Sequence, residues 1–180
     1  FLFTFCYNGY GYNGSVSKSL CQVCPQADIV ISSTTTWSAG GMNLCPGQKI
    51  TVLSGATLTL NAFELQIDFN FAGQKWDGIY LNAGASLIVN NHSMIHESTN
   101  GITASAGFNS INVNLSAIFN NGRAIRAKSS SSALFYPVYL FRANLSNSSS
   151  ATEPLIYLEG VNMNGFFTSM INYGSSPNGI

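Results

Sequence analysis

The sequence contains few charged residues of either sign. Only 8% of its 180 residues are charged, and seven basic residues balance seven acidic ones. Nucleic acids and anionic membrane surfaces attract clustered Lys and Arg side chains, because phosphate groups carry the charge that is recognised. This composition therefore argues against a nucleic acid partner.

The sequence also lacks a long apolar run. No segment approaches the roughly 20 consecutive apolar residues that a membrane-spanning helix needs, so no membrane span is predicted. Hydrophobic residues nevertheless make up 46% of the chain. That content predicts a packed core rather than disorder.

Cysteine is scarce and confined to the first quarter of the chain, at Cys6, Cys21, Cys24 and Cys45. An even, clustered number of cysteines favours one or two disulfides in an oxidising compartment. A zinc or redox site at Cys21-x-x-Cys24 is the alternative, but a second such pair or a nearby His pair is absent. All four residues are therefore disulfide candidates, and we expect a secreted or cell-surface protein.

An internal repeat is present. Residues 50–61 align without a gap to residues 79–90, and both segments end in Asn. In each segment the residues one and three positions before the Asn are apolar, which is the period-two pattern of a strand with one buried face. Shorter copies complete a series of anchors at Asn61, Asn90, Asn114, Asn144 and Asn164.

Each coil also has a second apolar pair and a third short strand. The pairs are Ile50 and Val52, Ile79 and Leu81, Ile102 and Ala104, Ile125 and Ala127, and Ile156 and Leu158. The third strands are predicted around residues 65–67, 94–96, 118–120 and 169–171. Three short strands in about 25 residues is the size of one coil of a β-solenoid.

These patterns predict an all-β parallel β-helix of about six coils, with three short strands per coil. We expect residues 1–28 to form an N-terminal cap and residues 29–180 to form the parallel β-helix. The chain stops at Asn178-Gly179-Ile180, which resembles the start of another coil, so the helix is expected to continue beyond residue 180. Two Ser-rich interruptions, residues 128–133 and 146–154, are expected to project as loops.

The five anchor residues predict a structural Asn ladder at one corner of the stack. Side-chain amides repeated at about 4.8 Å can hydrogen-bond along the stack. Asn also accepts left-handed backbone geometry at a corner better than most residues do.

Three phrases resemble a known group of proteins: TTWS at residues 35–38, ITVLSGATLTL at 50–60 and WDGI at 76–79. They are similar to right-handed, pectate-lyase-like parallel β-helix proteins exported by Bacteroidota. The resemblance implies a right-handed helix and a large modular surface protein. It also implies export by the type 9 secretion system through a C-terminal sorting domain, although no such domain is visible in this chain.

Candidate catalytic groups are sparse. None of the seven carboxylates recurs at one position in adjacent coils, so the clustered acids of polysaccharide lyases and hydrolases are not expected. His92 and His96 would lie about 13 Å apart along a strand, too far to share a metal ion. We therefore predict no catalytic residue, no metal site and no cofactor.

Two groups of side chains could contact a ligand. Arg123, Arg126 and Lys128 form a small basic group that could meet an acidic sugar or serve as a solvated edge. Trp37 and Trp76 could stack on sugar rings if they are exposed, or could close the turns that enter their coils.

The function expected from these observations is that of an exported, non-catalytic module, acting as a stalk or adhesin that binds carbohydrate or other surface proteins. Two alternatives remain. One is the N-terminal part of a polysaccharide lyase or hydrolase, and the other is a component or cargo of an outer-membrane secretion complex.

Overall fold

In the computed structural model, which describes residues 24–129 and 137–173, parallel strands stack as a solenoid of about five turns. Its described residues contain no α-helix and one three-residue 3-10 turn, Phe69–Phe71. The strands are β1 Ile29–Ile31, β2 Thr35–Leu44, β3 Lys49–Val52, β4 Thr57–Ile67, β5 Gly78–Leu81, β6 Ser86–Asn90, β7 Met94–His96, β8 Asn100–Ala104, β9 Ser110–Asn114, β10 Ala117–Asn121, β11 Arg123–Lys128, β12 Val138–Phe141, β13 Asn144–Asn147, β14 Ile156–Glu159, β15 Met163–Phe166 and β16 Ser169–Ile171. This architecture confirms the predicted all-β solenoid.

Each coil contributes to three faces. The first face is the sheet β1-β3-β5-β8-β11-β14. The second face contains β6, β9, β12 and β15, and the third contains β7, β10, β13 and β16. The long strands β2 and β4 bend across both, since the first half of β4 pairs with β6 and its second half with β7.

The core of the first face is a column of isoleucines. Ile50, Ile79, Ile102, Ile125 and Ile156 lie opposite one another in successive coils. A parallel column runs two residues later, from Val52 and Leu81 to Ala104 and Ala127. The predicted apolar pairs of this face are confirmed, because period-two side chains of parallel strands in register all enter the same interior.

On the second face the predicted anchor column is right in its first coils and wrong in its last two. Asn61 lies opposite Asn90, but Asn114 lies opposite Phe141. Phe141 in turn lies opposite Phe166, and the two rings stack with centroids 6.2 Å apart. An aromatic column therefore continues the amide column.

Asn144 and Asn164 belong to other columns. Asn144 starts β13 on the third face, opposite Ala117 and Ser169, and Asn164 lies opposite Tyr139. The inward residues of β12 are Val138 and Leu140, whereas the predicted Phe141 is only partly buried. The predicted Ala143 is buried, but it lies after β12, next to the start of β13. Burying two aliphatic side chains stabilises one register by several kcal/mol, roughly 1.5–3 for each, whereas a half-exposed Asn gains little from its column.

The corner between the second and third faces contains a residue with left-handed backbone geometry in each coil, and in the β6–β7 coil His92 follows it with a φ of 64°. The φ of the recurring corner residue lies between 49° and 53° at Ala39, Ala62, Asn91, Leu115, Arg142 and Phe167. Each of these residues directly follows the residue of the anchor column. The left-handed conformation expected for the Asn residues themselves thus falls one position later.

A disulfide joins Cys24 to Cys45, with 5.7 Å between their Cα atoms. This bond confirms two of the disulfide candidates and removes Cys24 from the alternative zinc or redox site. Cys6 and Cys21 lie outside the described residues, as do most of the predicted cap and residues 178–180. The division at residue 28 and the continuation beyond residue 180 stay predictions.

Candidate functional site

The corner at which the chain returns from the third face to the first carries two long connections. Residues 68–77 and 148–155 form them, and between these lie two short connections, residues 97–99 and residue 122. The long connections flank a groove of about 330 Å³. We call it the corner groove.

The lining of the corner groove is polar and mainly basic. Three cations face one carboxylate, together with hydroxyl and amide groups. The polar lining residues are Lys75, Thr99, Asn100, Arg123, Arg126, Ser148, Ser150, Thr152 and Glu153. Of the predicted basic group, Arg123 and Arg126 lie here, whereas Lys128 does not line the groove and pairs with Glu159 at 3.3 Å.

Arg123 is buried and fully engaged. Its side chain is 9% exposed and makes an ion pair with Glu153, and its Nε donates to the Pro154 carbonyl oxygen at 3.3 Å. Its guanidinium lies over the Tyr157 ring, 5.7 Å from the centroid. Burial lowers the pKa of Arg123, and the charge of Glu153 opposes that shift. Arg123 therefore anchors the 148–155 connection to the first face.

Arg126 stands on the outer surface of β11, opposite Thr103 and Tyr157 in the neighbouring coils. Its guanidinium is half-buried and forms no ion pair with any residue that the structure describes. Burial raises the pKa of the nearby Tyr80 phenol, while the charges of Lys49 and Arg126 act in the opposite direction. Arg126 is thus a cation whose charge remains available to a ligand.

Lys75 reaches the groove from the 68–77 connection. Its Nζ donates to the Asn120 carbonyl oxygen at 3.1 Å. Burial lowers the pKa of Lys75, and the charge of Glu97 partly offsets that effect. The groove therefore has one cation on its 68–77 wall and two on the strand that forms its floor.

A buried amide ladder supports the groove from inside. The Asn121 Oδ1 accepts from the Ser98 backbone N at 2.8 Å and from the Ser98 hydroxyl at 2.7 Å, while its Nδ2 donates to the Ile95 carbonyl at 3.1 Å. Asn121 lies opposite Asn147, whose Nδ2 donates to Asn172.

This ladder was missed in the sequence, although its members recur at intervals of 26 and 25 residues, about one coil. That recurrence was the signal that could have found it. The Asn at the end of each long apolar segment is more conspicuous, and the predicted anchor series follows that Asn.

Gly122 lines the groove and lies against the preceding coil. A Cβ at this position would collide with the Thr99 carbonyl oxygen. This close approach permits the one-residue connection, and it leaves the two longer connections as the walls.

Trp76 and His96 pack inside the same corner and do not line the groove. Trp76 is fully buried just before β5, and its Nε1 donates to the His96 carbonyl oxygen at 2.8 Å, as expected for a residue that closes a turn. The His96 Nε2 lies 2.9 Å from Glu64, and its Nδ1 lies 3.6 Å from Glu97. His96 is only 8% exposed and its Nε2 lies within hydrogen-bonding distance of Glu64, so its ring packs inside this corner.

Residues 24–129 and 137–173 contain no group of three or more His, Cys, Asp or Glu side chains that could hold a metal ion. Within the same ranges there is no helix of the length and apolar character needed to span a membrane.

Comparison with known proteins yields no relative. No family model, curated protein or solved structure matches the chain significantly.

Proposed function

We propose that this chain is an exported surface module that binds carbohydrate in the corner groove without cleaving it. The observation that carries the proposal is the lining itself, in which guanidinium, ammonium, hydroxyl and amide groups converge between two projecting connections. Such groups hydrogen-bond the hydroxyls of a sugar, and the groove volume lies within the range of about 300–1,000 Å³ that is usual for small-ligand sites.

The small number of carboxylates in the groove favours a binding role over a hydrolytic one. Glycoside hydrolases use two carboxyl groups that flank the scissile bond. The described lining of the groove has one, Glu153, and it is paired with Arg123. A stack of coils in register also provides a rigid support, as a stalk or an adhesin requires.

Export is supported by the Cys24–Cys45 disulfide, because disulfides persist mainly in oxidising compartments. The resemblance to Bacteroidota surface proteins extends this proposal to the type 9 secretion system. Copurification with outer-membrane proteins would favour the alternative of a secretion-complex component or cargo.

The test is retention of the protein on a panel of immobilised polysaccharides. Thr152→Trp places a large ring in the groove, and Thr36→Trp places the same ring on an exposed position of the second face. We expect the native chain and Thr36→Trp to bind a common set of glycans and Thr152→Trp to lose them. Equal binding by all three proteins, or none by the native chain, would contradict the proposal, and release of shortened sugars would favour the lyase or hydrolase alternative.

A further inference from the structure

The two arginines of the corner groove differ in what already neutralises them. Arg123 has a carboxylate, a carbonyl oxygen and an aromatic ring as partners, while Arg126 has no ion pair among the residues described here. The two cations are close enough that the charge of Arg126 contributes to lowering the pKa of Arg123. Together with Lys75 they leave the groove with two more positive than negative charges.

Glu153 has the properties of a displaceable group. Its side chain is 62% exposed, although the Arg123 side chain that it contacts is only 9% exposed. It sits on the 148–155 connection, which is also held through the Pro154 carbonyl and through the buried residues Ser148 and Ala151. The carboxylate could therefore leave Arg123 without release of the whole connection.

We propose that the corner groove recognises the anionic group of a charged saccharide, a carboxylate or a sulfate ester, through Arg126, and that Glu153 is the protein's own carboxylate with which this group competes for Arg123. This inference rests on the proposed carbohydrate binding and adds the ligand's charge. A guanidinium suits the role because its planar donors match two oxygens of such an anion.

Competition by Glu153 sets both affinity and selectivity. A neutral sugar leaves the Glu153–Arg123 pair in place and meets only the hydroxyl and amide donors. A charged sugar gains a charge-assisted hydrogen bond to Arg126, but its charge is repelled by Glu153 until that carboxylate moves away.

The experiment is calorimetric titration of the 180-residue chain with three oligosaccharides of equal length, one neutral, one uronate and one sulfated. The variants are Arg126→Gln, Arg126→Lys and Glu153→Gln, and Arg142→Gln at the corner between the second and third faces is the matched control. Circular dichroism melting checks that each variant folds.

We expect the charged saccharides to bind more tightly than the neutral one. Arg126→Gln should weaken their binding by about tenfold or more, and Arg126→Lys by less, because one charge-assisted hydrogen bond contributes about that factor. Glu153→Gln should strengthen it by about fivefold, because it removes the competing negative charge of a carboxylate that is itself 62% exposed and therefore weakly held. Arg142→Gln should leave the affinities for all three saccharides unchanged. Whether the uronate or the sulfated saccharide binds more tightly identifies the anionic group that the groove prefers.

Four results would overturn the inference. Equal losses in Arg126→Gln and Arg142→Gln would indicate unspecific attraction, and weaker binding by Glu153→Gln would make this residue an anchor of the connection only. Equal affinity for neutral and charged saccharides, abolished by Thr152→Trp, would refute the anion subsite while leaving the proposed function intact. If the native chain binds none of the three saccharides or the panel glycans, both proposals fail.

Discussion

Two corners of the solenoid carry recurring asparagines, but only one of them uses the amides as a hydrogen-bonded ladder. At the corner between the second and third faces, the Oδ1 atoms of Asn90 and Asn114 have no hydrogen-bond partner among the described residues. At the groove corner, the Asn121 amide satisfies backbone groups of the coil above it. Regular spacing of Asn residues is therefore not enough to form a hydrogen-bonded ladder. The side-chain amide must also point at a backbone group that the sheet leaves unpaired.

The largest expected effect tests this difference directly. Asn121→Leu should lower the free energy of unfolding by about 2–4 kcal/mol, because it leaves the Ser98 N–H and the Ile95 carbonyl buried without their partner. Asn90→Leu should change it by less than about 0.5 kcal/mol or raise it, because an unpartnered buried oxygen is removed. Urea unfolding followed by circular dichroism measures both free energies. Similar losses of stability in the two variants would show that the two corners do not differ in this way.

A smaller change in the free energy of unfolding is expected from the backbone at the corner between the second and third faces. Ala62 has a φ of 52°, a conformation that costs a non-glycine residue about 1 kcal/mol, so Ala62→Gly should stabilise the chain by up to about 1 kcal/mol. Ala56→Gly is the matched control, since Ala56 is buried and its φ is not positive. It should destabilise the chain by about 1–2 kcal/mol through lost burial and backbone entropy. Thermal melting compares the two, and loss of stability in both would mean that the corner is not strained.

The smallest effect concerns the pH dependence of the groove. Because burial lowers the pKa of Lys75 below 10.5, this side chain loses its charge at a lower pH than an exposed lysine would. Affinity for an anionic saccharide should therefore fall by a few-fold as the pH rises toward 10. Burial raises the pKa of Tyr80, which opposes ionisation of its phenol as the pH rises.

Titrations between pH 7 and about pH 10 check this expectation, with Lys75→Arg as the comparison, since an arginine keeps its charge throughout the range. A fall of the same size in Lys75→Arg would assign the pH dependence to another group.

The first face could be predicted almost completely from the sequence, and the second only in part. The column of Ile50, Ile79 and Ile102 recurs at unequal intervals of 29 and 23 residues, but no competing apolar pattern lies beside it, so its register follows from period two alone. Around Asn144 two patterns compete, since an Asn preceded by apolar residues occurs there and Val138 and Leu140 lie a few residues earlier. Burial selects the second pattern, and β13 on the third face was missed for the same reason.

The functional residues divide in the same way. The sequence showed that Arg123, Arg126 and Lys128 are close along the chain and that carboxylates do not recur. It contained no signal that Arg123 would be neutralised by Glu153, because that contact joins residues 30 positions apart across a connection of irregular length. Nor did it indicate that Lys128 would pair with Glu159 outside the groove.

The coil follows from the amino-acid sequence, because alternating apolar residues that recur every 20 to 31 residues can be buried together by stacking parallel strands in register. The tertiary structure alone decided which asparagines form a ladder, which arginine is neutralised and where the groove lies. These properties depend on which side chains of neighbouring coils come into contact. The corners and connections determine those contacts, and their lengths and geometry do not follow the periodic pattern.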